Sequence, residues 1–256
     1  MAITEIEYAL FTNLKEAKIL PEKPHVLEFG ENNWYGDVPV AQLLHDIENS
    51  SSNDRSELAE KLIKIVDQKE NNPWINFDLA KIFWEFFVDY ESLTAIDMGG
   101  PNAHKFDLNY PVIMDRQFDI TANFGTSEHI FNLAQFFATV HDLTAPGGIM
   151  LHAFPFTGWI DHGFYNFQPT FIWDLAAQMR YDIISFIYGE MQPLKILNIR
   201  SREDVVKMAK NKEFGNNGLL YTALRKTQDN EFLPIIQGYY GNIVSEEVKK
   251  AWVELR

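Results

Sequence analysis

Short apolar runs closed by glycines or acids alternate along this chain with stretches of helical period. Val26, Leu27 and Phe29, closed by Gly30, have the form of a buried strand. SLTAIDMGG repeats that form and ends in an acid and two glycines; FDITANFG and GIMLHAFPF follow it, with a shorter strand expected at KFDLNYP. Between these runs the period lengthens. MAITEIEYALFTNLKEAKIL reads as an amphipathic helix, and residues 38–70 read as helical with a break at NSSSNDRSE. Ser56 is expected to cap a helix whose Leu58, Leu62, Ile65 and Val66 share one face. In NNPWINFDLAKIFWEFFVDY, Asn72 caps and Pro73 suits the first turn. The aromatic stripe Trp74, Phe77, Phe83, Trp84 and Phe87 reads as core in preference to a substrate platform. Further on come a helix from about Glu128 to Asp142, the turn APGG, a helix over Pro169–Met179, and the strand YDIISFIYG. The helix REDVVKMAKN, the long strand GLLYTALRKT and the closing helix VSEEVKKAWVEL complete the chain.

Strands alternating with helices argue for an α/β fold, with a mainly parallel sheet covered on both faces. The 256 residues suit a single domain over 1–256, with a helical insertion over 38–90. A formal net charge of −14 weighs against broad nucleic-acid binding and leaves a small molecule as the expected partner. The absence of cysteine excludes disulfides and thiolate metal sites. The first twenty residues lack a signal-peptide pattern, and no apolar run nears the roughly 18 residues of a membrane span. The expected setting is cytoplasmic, away from membranes. The aromatic helices of the insertion suit a core or a subunit interface equally.

In open parallel sheets, ligands bind outside the carboxyl ends of the strands. Here those ends carry Glu28 and Gly30, then Asp97 with Gly99 and Gly100, then Asp107, Leu108 and Asn109, then Asn123 and Gly125. On these residues the sequence resembles the class I S-adenosylmethionine-dependent methyltransferases. The resemblance implies a three-layer Rossmann-like sheet, mostly parallel with an antiparallel last strand and extra helices after the first strand. It also implies cofactor-binding roles. Glu28 and Gly30 would pass the methionine part, Asp97 would bond the ribose, Asp107 and Leu108 would hold the adenine, and Asn123 and Gly125 would line the reaction centre. HDLTAPGGIMLHAFP is similar to the family's helix, turn and fifth strand, and YDIISFIYG with GLLYTALRKT to its final antiparallel strands. The likeness runs from about Pro24 to Lys226. LEFGENNWYG departs from it, keeping one glycine where three are usual, although Asn32 and Asn33 can adopt left-handed angles. Gly30 to Ser92 is longer than one helix requires, and Asp97 to Asp107 is too short for a full one. A nicotinamide-dependent oxidoreductase is disfavoured. No G-x-G-x-x-G follows the first strand, and Tyr221 is followed four residues on by Arg225, not Lys.

The most pointed motif is GTSEH, where Glu128 and His129 directly follow the fourth strand. A helix starting there would favour the carboxylate. His162, in DHGFYNF, lies on the loop after the fifth strand. Three readings stand: a helix cap with a partly buried histidine, a general base or substrate binder, and a divalent-metal site made of Glu128, His129 and His162. Histidine suits proton transfer because its unperturbed pKa lies near neutrality. Two methyltransferase groups use a similar Glu-His pair and a later His for a metal, but place another carboxylate where this chain has Gly125. His152 reads as a core histidine, and His25, His45, His104 and His141 as surface or cap residues. Trp159, Phe164, Tyr165 and Phe167 belong to a lid over the site, and Asp161 orients His162 or solvates a turn. The expected function is methyl transfer from S-adenosylmethionine to a hydroxyl of a small molecule such as a sugar or glycan precursor. The alternative is a methyltransferase-like binding or scaffold protein without catalysis.

Overall fold

A computed structural model describes residues 2–51 and 54–255. The break expected at NSSSNDRSE therefore falls partly outside the described residues. The chain forms two compact units, Met1–Phe106 and Asp107–Arg256.

The first unit runs β1 (Ala2–Ile3), α1 (Glu5–Glu16), β2 (His25–Phe29), β3 (Asn33–Trp34), α2 (Val40–Glu48), α3 (Arg55–Asp67), α4 (Ile75–Val88) and β4 (Ser92–Ile96). A capping box starts α1: the Thr4 hydroxyl accepts from Ile6 N, and Glu7 reaches back to Thr4 N at 3.0 Å. β2 and β4 pair in parallel from His25–Ser92 to Phe29–Ile96, so their carboxyl ends finish level. The two-residue pair β1–β3 is too short to leave a period in the sequence. Helices α1 and α4 meet through rings, with Phe11 4.9 Å from Phe83 and 5.1 Å from Trp84, and Phe83 4.8 Å from Phe87. Phe83, Trp84 and Phe87 are core, whereas Trp74, ahead of the first turn of α4, is exposed against Phe77. Asn72 does not cap: α4 starts at Ile75 with Trp74 at the N-cap, so Asn72, whose Oδ1 accepts from Trp74 N at 2.9 Å, and Pro73 both lie ahead of the helix. Ser56 does not cap: α3 begins one residue earlier, with Asp54 at the N-cap.

The strand expected at KFDLNYP is absent. The segment's pairing ends at one parallel bridge between His104 and Ile96. Pro101 and Pro111 bracket it, and proline supplies no ladder donor. Asp107 instead folds onto its own loop, accepting from Asn109 N at 2.9 Å and Asn109 Nδ2 at 2.8 Å.

The second unit contains β5 (Phe118–Phe124), α5 (Leu133–Leu143), β6 (Thr144–Thr157), α6 (Pro169–Met179), β7 (Asp182–Met191), β8 (Leu194–Asn198), α7 (Arg202–Lys210), β9 (Gly218–Arg225) and α8 (Glu246–Glu254). Its strands lie in the order β5-β6-β9-β7-β8. β5 and β6 are parallel, and β9 is inserted antiparallel to both β6 and β7. The antiparallel arrangement expected of GLLYTALRKT is present. A hairpin adds β8, whose half-exposed alternation around Pro193 gave no clear strand signal. The helix expected from Glu128 is also divided: Ser127–His129 form one 3-10 turn, Ile130 is extended, and Asn132 caps α5 through Gln135 N. Among the described residues, no helix is long and apolar enough to cross a membrane.

His141 is not a surface residue. It is buried, with Nδ1 2.7 Å from the Tyr181 hydroxyl and Nε2 2.6 Å from Asn230 O. Beside it the buried Lys226 ammonium donates to His141 O and Thr144 O, each at 2.9 Å. Lys226→Met should remove the buried donor shared by Thr144 O and His141 O, which keeps only its bond from Thr144 N, and lower stability by about 1–3 kcal/mol, read as a shift in the urea midpoint at unchanged m-value.

Candidate functional site

In the first unit, the loops after β2 and β4 are tied together by acids. Gly30 turns the chain at φ +88, and its N–H donates to Ile96 O at 2.7 Å. Only glycine takes that angle without strain. Glu28 is buried and points inward, accepting from Asn32 Nδ2 at 2.5 Å and from Trp84 Nε1 at 2.6 Å. Burial pushes its carboxyl up to about 7, against the opposing effect of those two donors. Asp97, half-buried, accepts from Gly99 N at 2.7 Å and from Glu31 N at 2.9 Å. Glu31 in turn accepts from Asn102 N and Nδ2, both at 2.8 Å, and lies so close to Gly100 that a Cβ there would sit 2.5 Å from its Oε2.

Sequence reasoning missed Glu31, Asn102 and the Trp84 contact. Gly100 was the one signal of a close approach, and it did not say what approached. The residues fit a nucleoside-type ligand in one respect. Each Asp97 oxygen has accepted one hydrogen bond and keeps capacity for a second, which a ribose diol would use.

In the second unit, Asn123 builds the turn that presents Glu128. Its buried Oδ1 accepts from Thr126 N at 3.0 Å and Ser127 N at 3.1 Å, and its Nδ2 donates to Ser127 Oγ. The Asn123 amide is thus spent on its own turn and on His152, whose Nδ1 lies 3.2 Å from its Nδ2. Gly125 takes φ +86 there and donates to Ala153 O at 3.1 Å. Asp107 is exposed, its carboxyl held low by the Asn109 hydrogen bonds, and Leu108 is buried.

Glu128 has a side chain only 2% exposed, and among the described residues its Oε2 has no hydrogen-bond partner. Its Oε1 lies 3.9 Å from His129 Nε2 and 3.7 Å from His162 Nε2. The loop carrying His162 closes on this turn through Phe164 N, which donates to Glu128 O at 2.7 Å. Gly163 permits that approach, since a Cβ there would lie 2.9 Å from Glu128 O. Burial raises the Glu128 carboxyl to about 7. His129 is lowered, first by burial and then by the neighbouring His162. One donor atom from each of the three residues falls within 4.8 Å of the others, so a cation could be held after a modest closure. The helix-terminus argument for Glu128 does not apply, because α5 begins only at Leu133.

His152 is a core residue, stacked on Phe154 at 5.1 Å and pushed down to about 3 by burial. Of the lid aromatics, Phe167 is buried, Phe164 is exposed and Trp159 donates its Nε1–H to Gly218 O. Asp161 is exposed at φ +59.

The fold is the Rossmann-like α/β arrangement, and many solved structures similar to this chain are class I S-adenosylmethionine-dependent methyltransferases. BH2331 from Bacillus halodurans C-125, described as a putative methyltransferase, is 10% identical, with 86% of this chain and 100% of that one covered at a TM-score of 0.46. The N-methyltransferase NodS from Bradyrhizobium japonicum, solved with S-adenosyl-L-homocysteine, is 10% identical, with 87% and 86% covered at a TM-score of 0.44. TehB from Haemophilus influenzae is 12% identical, with 85% of this chain and 62% of that one covered at a TM-score of 0.43. No family model matches the chain, and no curated protein does either.

Glu28 makes stability depend on pH in a definite direction. Its carboxyl titrates higher in the folded chain than in the unfolded one, so its contribution is full below pH 4.5 and is lost as pH rises through about 7. Glu28→Gln keeps an acceptor for Trp84 and removes the titration. Its stability relative to the parent should climb between pH 5 and pH 8, by up to about 3 kcal/mol in urea denaturation. A constant difference across that range would show that Glu28 does not titrate there.

Proposed function

We propose that the chain transfers a methyl group from S-adenosylmethionine to a hydroxyl of a small molecule. The observation that carries this reading is the Glu128-His129-His162 cluster: a buried carboxylate with one unspent oxygen, facing two half-exposed imidazoles at strand ends of a Rossmann-like fold. Within the first unit, Glu28 and Gly30 shape the turn proposed to pass the donor, and Asp97 is proposed to take its ribose hydroxyls. Asn123 and Gly125 serve by fixing the turn on which Glu128 stands. Asp107 and Leu108 remain assigned to the adenine, without the strand that the resemblance implied. S-adenosylmethionine supplies, when bound, a methyl on a positively charged sulfur that departs as a neutral thioether.

The residues of this chain handle the acceptor. His129, lowered by burial, is neutral at physiological pH and can take the hydroxyl proton as the oxygen becomes nucleophilic. Glu128 orients the two imidazoles and offsets the positive charge that one of them acquires.

A divalent metal at the same three residues is a second reading, favoured by the unpartnered Glu128 Oε2. Two imidazoles and a carboxylate are a ligand set for zinc or a comparable transition metal. The alternative of a non-catalytic binding protein is favoured by the Glu31–Asn102 tie, which joins the loops expected to receive the donor.

Calorimetry with S-adenosylmethionine separates these readings. Binding is expected, and Asp97→Ala should weaken it by about tenfold or more, the worth of a charge-assisted hydrogen-bond pair. A folded parent protein that takes no S-adenosylmethionine would leave the binding-protein reading in place. His129→Ala and His162→Ala should lower methyl transfer by roughly 10²–10⁴-fold with donor affinity unchanged. If chelator abolishes transfer and zinc or manganese restores it, the cluster holds a metal; insensitivity to chelator assigns it to proton transfer.

A further inference from the structure

Exposed apolar side chains flank the histidine pair. His129 and His162 each precede by two residues an exposed phenylalanine, Phe131 at 73% and Phe164 at 66% exposure. The two loops bring these residues together in matching order. The imidazole centroids are 5.0 Å apart, and the phenyl centroids are 6.1 Å apart with their planes at 87°.

Hydrogen bonds hold both loops in place. Phe164 N donates to Glu128 O at 2.7 Å, and the Tyr165 hydroxyl donates to Phe131 O at 2.9 Å. Trp159 lies 4.8 Å from the His162 ring and is anchored through Gly218 O, and the adjacent Ile160 is 93% exposed. Asn132, the residue after Phe131, is bonded twice to Asn109, next to the exposed Tyr110. Scattered apolar side chains on a surface need no account, but a cluster rimming a polar centre does. Asp161, exposed, precedes His162 and adds a carboxylate to the rim.

We infer that the acceptor is an aromatic hydroxyl compound, its ring against Phe131 and Phe164 and its hydroxyl at the imidazoles. This rests on the hydroxyl-acceptor reading above and puts a phenol-type molecule in place of the sugar expected from the sequence. A sugar presents polar groups on every edge and is selected by hydrogen bonds to them. Phe131, Phe164, Trp159 and Ile160 offer ring faces and apolar edges instead. Ile130 is extended, so the Cα atoms of His129 and Phe131 lie about 6–7 Å apart along the chain. That span suits a molecule of one or two rings carrying one hydroxyl. Edge-to-face and offset contacts with the phenylalanines add to simple burial.

The inference is tested with the full chain and no cofactor, by calorimetry with 2-naphthol and with methyl β-D-glucoside. Naphthol should bind and the glucoside should not. Phe131→Ala and Phe164→Ala should each weaken naphthol by about tenfold. Both positions are exposed, so folding should be spared, and circular dichroism checks this. Phe164→Tyr should retain binding. Absence of naphthol binding, preferential glucoside binding, or unchanged naphthol affinity in both alanine variants would each overturn the inference. Self-association that the alanine variants abolish, without naphthol binding, would assign the patch to a second copy and also overturn it. S-adenosylmethionine is titrated separately. Naphthol binding with no donor binding would sink the methyl-transfer reading and leave the aromatic site standing.

Discussion

A carboxylate removed from water is expensive to keep charged, and the second unit is organised around one. Glu128 is held inside by a turn that Asn123 ties down with two backbone N–H groups and a hydroxyl. A second loop is closed over it through Phe164 N and admitted by Gly163. The penalty appears as a carboxyl pushed up to about 7. The two imidazoles are the polar groups that this arrangement brings to the carboxylate, and their half-exposure opens the cluster to solutes. Rigid support and unspent hydrogen-bonding capacity together make the cluster the candidate site of this unit.

The first unit shows the opposite disposition. Glu28 is equally buried, but Asn32 and Trp84 satisfy it, and it fastens α4 to the end of β2. Glu31 and Asp97 are likewise engaged with backbone and amide donors of their own unit. Among these acids, Asp97 combines partial exposure with spare acceptor capacity, and so it carries the donor-binding expectation. The acids of the two units look alike in sequence; their partners make them different.

Aromatic residues divide in the same way. Phe11, Phe83, Trp84 and Phe87 pack ring to ring and stabilise the first unit as core. Phe131 and Phe164 meet edge to face in solvent, beside the histidines. Identical side chains support the fold in one place and offer a binding surface in the other, according to whether neighbouring elements cover them.

Much of the architecture was legible along the chain, because buried strands and amphipathic helices leave periods that need no partner to be recognised. The runs at Val26, Leu93, Ile120 and Met150, the helix Pro169–Met179 and the antiparallel β9 follow from local pattern. So does the choice of Glu128, His129 and His162, residues whose chemistry is evident from type alone. Tertiary structure decided the rest. It left KFDLNYP without a strand, delayed α5 to Leu133, buried His141, and set Glu31 against Gly100. It also turned the Asn123 amide into its own turn and left Phe131 and Phe164 uncovered. The physical reason is common to all of these. Desolvation and hydrogen-bond satisfaction belong to pairs of groups distant in the chain, and a single position carries no record of which partner it will meet.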